Sequence, residues 1–70
     1  MKLEFSKHAK QRMIERGIKL EQIKETMELP DYTIRKGSKV EAYKNLSNKT
    51  LKVIYSQEDS FINVITVIWK

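Results

Sequence analysis

Cysteine is absent from this chain, so no disulfide staples it and no thiolate can hold a metal. A single histidine leaves too few ligands for a structural zinc site. Proline occurs once and glycine twice, and the chain shows no linker, low-complexity stretch, repeat or Gly-rich phosphate loop. No apolar run approaches the roughly 18 residues of a membrane span, and no signal-peptide core opens the sequence. The expectation is a cytoplasmic protein with neither metal nor cofactor and no membrane partner. With 70 residues there is room for one domain, 1–70. A chain this short buries only about 60% of its unfolded surface. That excludes a Rossmann cofactor fold and any large enclosed pocket.

What the chain has in plenty is positive charge. Fourteen Lys and Arg face nine Asp and Glu, for a net +5. The excess is uneven: +4 over residues 1–20, −3 over 21–32, +5 over 33–55 and −1 over 56–70. Two basic segments separated by an acidic one form a polarised surface suited to a polyanion.

Lys2–Phe5 alternates polar and apolar, the pattern of a short half-buried strand. Ser6 is a natural N-cap for a helix over Lys7–Arg16, and Gly17 is its natural terminator. Ala9 and Met13 mark that helix's buried stripe, with Ile14 beside it. A second helix is predicted from about Leu20 to Glu28, with Leu20, Ile23 and Met27 on one face and Pro30 ending it. Lys19 is a poor N-cap, so its start is expected to fray.

From Tyr32 the period changes to two. Tyr32–Arg35 is extended, and strands follow over Lys39–Leu46, Thr50–Ser56 and Phe61–Trp69. The predicted fold is α+β: two helices packed on one face of a three- to four-stranded antiparallel sheet, in the order β-α-α-β-β-β. In the last strand, alternation puts Ile62, Val64 and Ile68 on one side and Phe61, Ile65, Val67 and Trp69 on the other. Two helices cover only one face, so the other is expected to be an apolar interface for a partner or a second copy.

His8, Arg12 and Arg16 recur every four residues and share one ridge of the first helix. His8 sits near the positive end of the helix dipole, which favours the neutral ring, able to accept a proton. The bland alternatives are a capping or core role for His8 against Phe5, a salt bridge from Arg12 to Glu25 or Glu28, and a C-terminal dipole contact for Arg16.

The run Phe5-Ser6-Lys7-His8-Ala9-x-x-Arg12-Met13-x-x-Arg16-Gly17-Ile18 resembles a widespread bacterial family of small domains that begin with a His-Ala-x-x-Arg-(Met)-x-x-Arg-Gly-Ile helix. The resemblance continues through Leu29-Pro30-Asp31 and Val64–Trp69. Members look like a minimal RelE/ParE toxin fold. The resemblance implies a toxin-like domain of a toxin–antitoxin module, with RNA and an antitoxin protein as partners. RelE-type ribonucleases place arginine, lysine or tyrosine on the sheet, where Arg35, Tyr43, Lys44, Lys52 and Tyr55 are available here.

Three readings follow. In the first, a metal-independent endoribonuclease, His8 is the base, Arg12 and Arg16 clamp the phosphate, and Lys7, Arg35, Tyr43 and Lys52 bind the nucleic acid. In the second the basic face binds a nucleic acid or protein without catalysis. In the third the ridge is structural and only the apolar face functions.

Overall fold

A computed structural model describes residues 2–70, in the order β1 (Lys2–Phe5), α1 (Lys7–Arg16), α2 (Leu20–Glu28), β2 (Tyr32–Lys36), β3 (Lys39–Leu46), β4 (Lys49–Gln57) and β5 (Phe61–Trp69). The Ser6 hydroxyl accepts from the Ala9 N–H at 3.0 Å and so satisfies one orphan donor at the start of α1. Gly17, at φ 61°, ends the helix in the left-handed region that glycine enters without a Cβ penalty. The start of α2 is held in spite of Lys19. Gln22, three residues on, accepts the Lys19 N–H through its side chain at 2.9 Å, one half of a capping box.

The strands form one five-stranded sheet in the order β1-β5-β4-β3-β2. Neighbours are antiparallel except β1, which runs parallel to β5 with Lys2 beside Phe61 and Phe5 beside Val64. The sheet is therefore mixed and one or two strands wider than the sequence indicates. Tyr32–Lys36 is a full edge strand, and β1 joins through a pairing between distant segments that no local pattern announces.

Both helices lie on one face. Ala9, Ile18 and Ile23 from the helical layer meet Leu51, Val53, Val64 and Val67 in the core, with Phe5, Met13 and Met27 packed against them. Two helix positions depart from the expected stripe: Ile14 is 83% exposed and Leu20 41%. The stripe is narrow because α1 rests on β5 at the side of the layer, so only the Ala9/Met13 line meets the sheet.

The faces of β5 also differ from simple alternation. Ile54 pairs with Thr66 but Tyr55 pairs with Val64, so Ile65 is an extra residue in a β-bulge. One inserted residue reverses the side-chain parity beyond it. Ile62, Val64, Val67 and Trp69 consequently share the helix side, while Phe61, Asn63, Thr66 and Ile68 share the open side. Among the described residues no helix is long and apolar enough to cross a membrane.

Candidate nucleic-acid interface

Lys7 and His8 lie exposed in the first turn of α1. Arg12 turns to its own helix, where Nη1 meets Glu15 Oε1 at 2.8 Å. That hydrogen bond, with a second from Gln11, holds the Glu15 carboxyl below its ordinary range. Arg12 thus engages Glu15 rather than Glu25 or Glu28. Arg16 donates from Nη1 to the Val67 carbonyl at 3.3 Å. It lies along the stretch of β5 that β1 does not reach, where a strand edge would otherwise be bare. Ser6 completes this cover: its N–H donates to the Val64 carbonyl at 3.0 Å and its hydroxyl to the Ile65 carbonyl at 2.7 Å.

The other expected residues fall elsewhere. Tyr55 faces the helices, in a groove between α2 and the β1/β5 side floored by Leu3, Met27 and Ile62. Arg35 pairs with Val40, whose neighbour across the next strand is Tyr55, so Arg35 points to the helix side as well. Tyr43 and Lys52 are register partners on the opposite, open face. The sheet therefore separates His8, Arg12 and Arg16 from Tyr43 and Lys52, and no single groove gathers all five.

The open face carries its own cluster. The Tyr32 and Tyr43 rings stack at 4.5 Å between centroids and 9° between planes. Lys52 and Lys70 lie over the Tyr43 ring at 5.6 and 5.2 Å, within cation–π range. Tyr43 is buried by this sandwich, leaving Tyr32 as the exposed aromatic surface at the sheet edge, 52% accessible. Tyr43 is thus the backing of a stacking surface that Tyr32 presents. Tyr32 carries no signal in the sequence, since only the pairing of β2 with β3 brings its ring against Tyr43.

Two residues before Tyr43 on the same face of β3 lies Glu41, 8% exposed. Its Oε1 accepts the Tyr43 hydroxyl at 3.0 Å, and Lys36 approaches Oε2 at 3.5 Å and Lys52 approaches Oε1 at 3.9 Å. The Tyr43 hydrogen bond, aided by the two ammonium charges, outweighs burial and holds the Glu41 carboxyl below its ordinary range. Among the described residues no three His, Asp or Glu side chains cluster as a metal site would need. The arrangement offers a flat aromatic face, several cations and one ionised carboxylate, which suits a stacked base with a phosphate beside it.

Residues 5–69 match the family described as a domain of unknown function, DUF4258. The chain belongs to that family. No curated protein and no solved structure matches it. The DUF4258 span takes in both the α1 ridge and the open-face cluster, apart from Lys70, and its description assigns no activity to either. The chemistry of the two surfaces must therefore discriminate between them.

Proposed function

We propose that this domain is a RelE/ParE-like, toxin-type module of a toxin–antitoxin pair that contacts RNA on its open sheet face. The observation that carries the reading is the Tyr32–Tyr43 stack, exposed on the Tyr32 side and bordered by Lys36, Lys52 and Lys70. Stacking on an aromatic ring accepts any base, and each such contact is worth about 1–3 kcal/mol. The lysines supply the sequence-independent attraction of a polyanion. The resemblance of the α1 motif to toxin-type domains supports RNA as the nucleic acid. A cytoplasmic location follows from that role.

The ridge of His8, Arg12 and Arg16 is less suited to the work. Both arginines already have partners within the chain, and a phosphate clamp there would have to displace Glu15 and the Val67 carbonyl. The test is fluorescence anisotropy with a labelled single-stranded RNA over a series of salt concentrations. Binding should weaken steeply with salt, and Tyr32→Ala should weaken it about tenfold at constant salt. Salt-independent binding, or a Tyr32→Ala variant that binds like the parent, would overturn the reading.

A further inference from the structure

All five residues of β2 are exposed, and among the described residues only β3 pairs with it. The strand contains no proline, and its register with β3 is unbroken from Tyr32 to Lys36. A two-residue turn, Gly37-Ser38, joins the two strands, so the flanking Lys36–Lys39 pair exchanges backbone hydrogen bonds. By alternation Ile34–Glu41 and Tyr32–Tyr43 do the same. Thr33 and Arg35 are left with their N–H and C=O groups directed off the sheet. Such an edge is a template for another strand.

We infer that this edge pairs with β2 of a second copy, antiparallel and centred on Ile34, and that the pairing masks the Tyr32 ring; the masking, unlike the pairing, rests on RNA contact at that ring. A two-fold interface uses the same patch twice, and β2 is complementary to itself. On this register the outward backbone groups of Thr33 meet those of Arg35 of the second copy, and the reverse. Ile34, 40% exposed, meets its own counterpart in the close position between those bonded pairs. Tyr32 lies across from Lys36 of the second copy, whose side chain is 66% exposed and free to lie over the ring. The chain already makes that kind of contact, with Lys52 and Lys70 over Tyr43 at 5.6 and 5.2 Å. Each cation of β2 therefore faces a neutral residue. Centring the pair on Arg35 instead would set guanidinium against guanidinium.

The Tyr32 and Tyr43 rings are 4.5 Å apart and nearly parallel, close to the strand spacing of about 4.8 Å. They therefore stack along the line that crosses the strands. The free face of Tyr32 points off the β2 edge, to the place that Lys36 of the second copy takes. A stacked base and a second copy claim one ring face, so the dimer is the form in which the RNA surface is closed.

The experiment follows the full chain by sedimentation equilibrium, alone and with a short single-stranded RNA. The parent should be a dimer at high concentration and become a monomer–RNA complex as the RNA saturates it. Thr33→Pro removes an outward N–H at an edge position where proline is tolerated. It should raise the dimer dissociation constant at least about tenfold, with an unchanged far-UV spectrum. Ile34→Lys sets two ammonium groups on the two-fold axis and should do the same, which covers the case of a Thr33→Pro chain that does not fold. Hydrogen exchange reads the parent directly: the Thr33 and Arg35 amides should be protected at high concentration and exchange freely on dilution. A parent that stays monomeric at millimolar concentration, a dimer that both variants keep, or unprotected Thr33 and Arg35 amides in the dimer overturns the pairing. RNA that binds the dimer without dissociating it overturns the masking. If RNA binds neither the parent nor the monomeric variants, the RNA reading falls and the masking with it, while the pairing is decided by sedimentation and exchange.

Discussion

Trp69 and Arg16 grip one another across 53 positions of sequence. The indole Nε1–H donates to the Arg16 carbonyl at 3.2 Å, and the Arg16 guanidinium donates back to the Val67 carbonyl at 3.3 Å. The C-terminal end of α1 is thus fastened to the half of β5 that lacks a strand neighbour. A cation on a ridge of one helix, read in isolation, invites a functional role; here it satisfies a carbonyl at a sheet edge.

Trp69→Phe removes one donor of that grip, and Arg16→Ala removes the other. Each should cost about 1 kcal/mol, the usual net value of such a hydrogen bond. For a domain of this size that corresponds to a fall of several degrees in Tm. Thermal melts of the two variants check it, and melts that both coincide with the parent's would show that the grip adds no stability.

The helix side and the exposed side of the layer should respond very differently to truncation. Leu51→Ala, at a fully buried position under both helices, should cost about 2–5 kcal/mol. Much of the chain should then be unfolded at 37 °C, since a small domain has only about 5–15 kcal/mol to lose. Ile14→Ala, at a position 83% exposed, should stay within about 0.5 kcal/mol of the parent. Urea unfolding of both variants tests the placement of the core.

Acid should destabilise the fold through Glu41 and Glu15. Both carboxyls lie below their ordinary value of 4.5 in the folded chain, Glu41 chiefly through Tyr43 and Glu15 chiefly through Arg12. A group lowered on folding binds its proton more readily in the unfolded chain. Its contribution is complete above the unfolded value and disappears as pH falls through the folded one. The urea midpoint should therefore be level at neutral pH and decline on the acid side of the carboxylate range. Glu41→Gln should remove part of that slope, and a variant with the parent's full slope would show that Glu41 contributes nothing to it.

Salt titrations test the proposed RNA contact on the open face. Lys52→Ala and Lys70→Ala should each reduce the slope of log affinity against log salt by about 1. Lys7→Ala, on the helical side, should leave the slope near the parent's. Equal effects from all three would mean that the whole basic surface attracts RNA without a defined track.

If the open face also serves as the proposed partner surface, its apolar contacts are Ile54 and Ile68, which the bulge and the register place on that side together with Lys52 and Thr66. Ile68→Lys should abolish any association through that face seen by sedimentation while leaving the far-UV spectrum unchanged. Self-association that survives this substitution would direct attention to the β2 edge.

Much of this architecture is written in local pattern. Ser6 and Gly17 mark both ends of α1 because capping chemistry depends only on neighbouring residues, and Pro30 closes α2 for the same reason. The bulge at Ile65 is different, since it arises from the fit of β5 between β4 and the Ser6 contacts and has no composition of its own. The parallel seat of β1 is likewise decided across the molecule. Of the candidate site residues, Lys52 and Tyr43 do share a face, as strand alternation in β3 and β4 suggests. The two arginines of α1 look unemployed in sequence because their partners are a carboxylate three residues away and a distant backbone carbonyl. Tyr32 and Glu41 escaped notice because a tyrosine in a short edge strand and a lone glutamate among lysines acquire meaning only once Tyr43 is seen to touch both.

The pairing of β1 with β5 has a further consequence, for the order in which the chain assembles. Phe5, Ala9 and Met13 have no surface to pack on until β5 is in place, and β5 enters the sheet only by pairing with β4. Residues 2–17 therefore dock late. The β2–β3–β4–β5 meander must form as the template, and the loop that α1 closes onto it spans most of the molecule. Loops of that length slow a folding reaction far more than they weaken its product. The expected kinetics are those of a domain slower than its two helices suggest, with β1 and α1 joining in the final step.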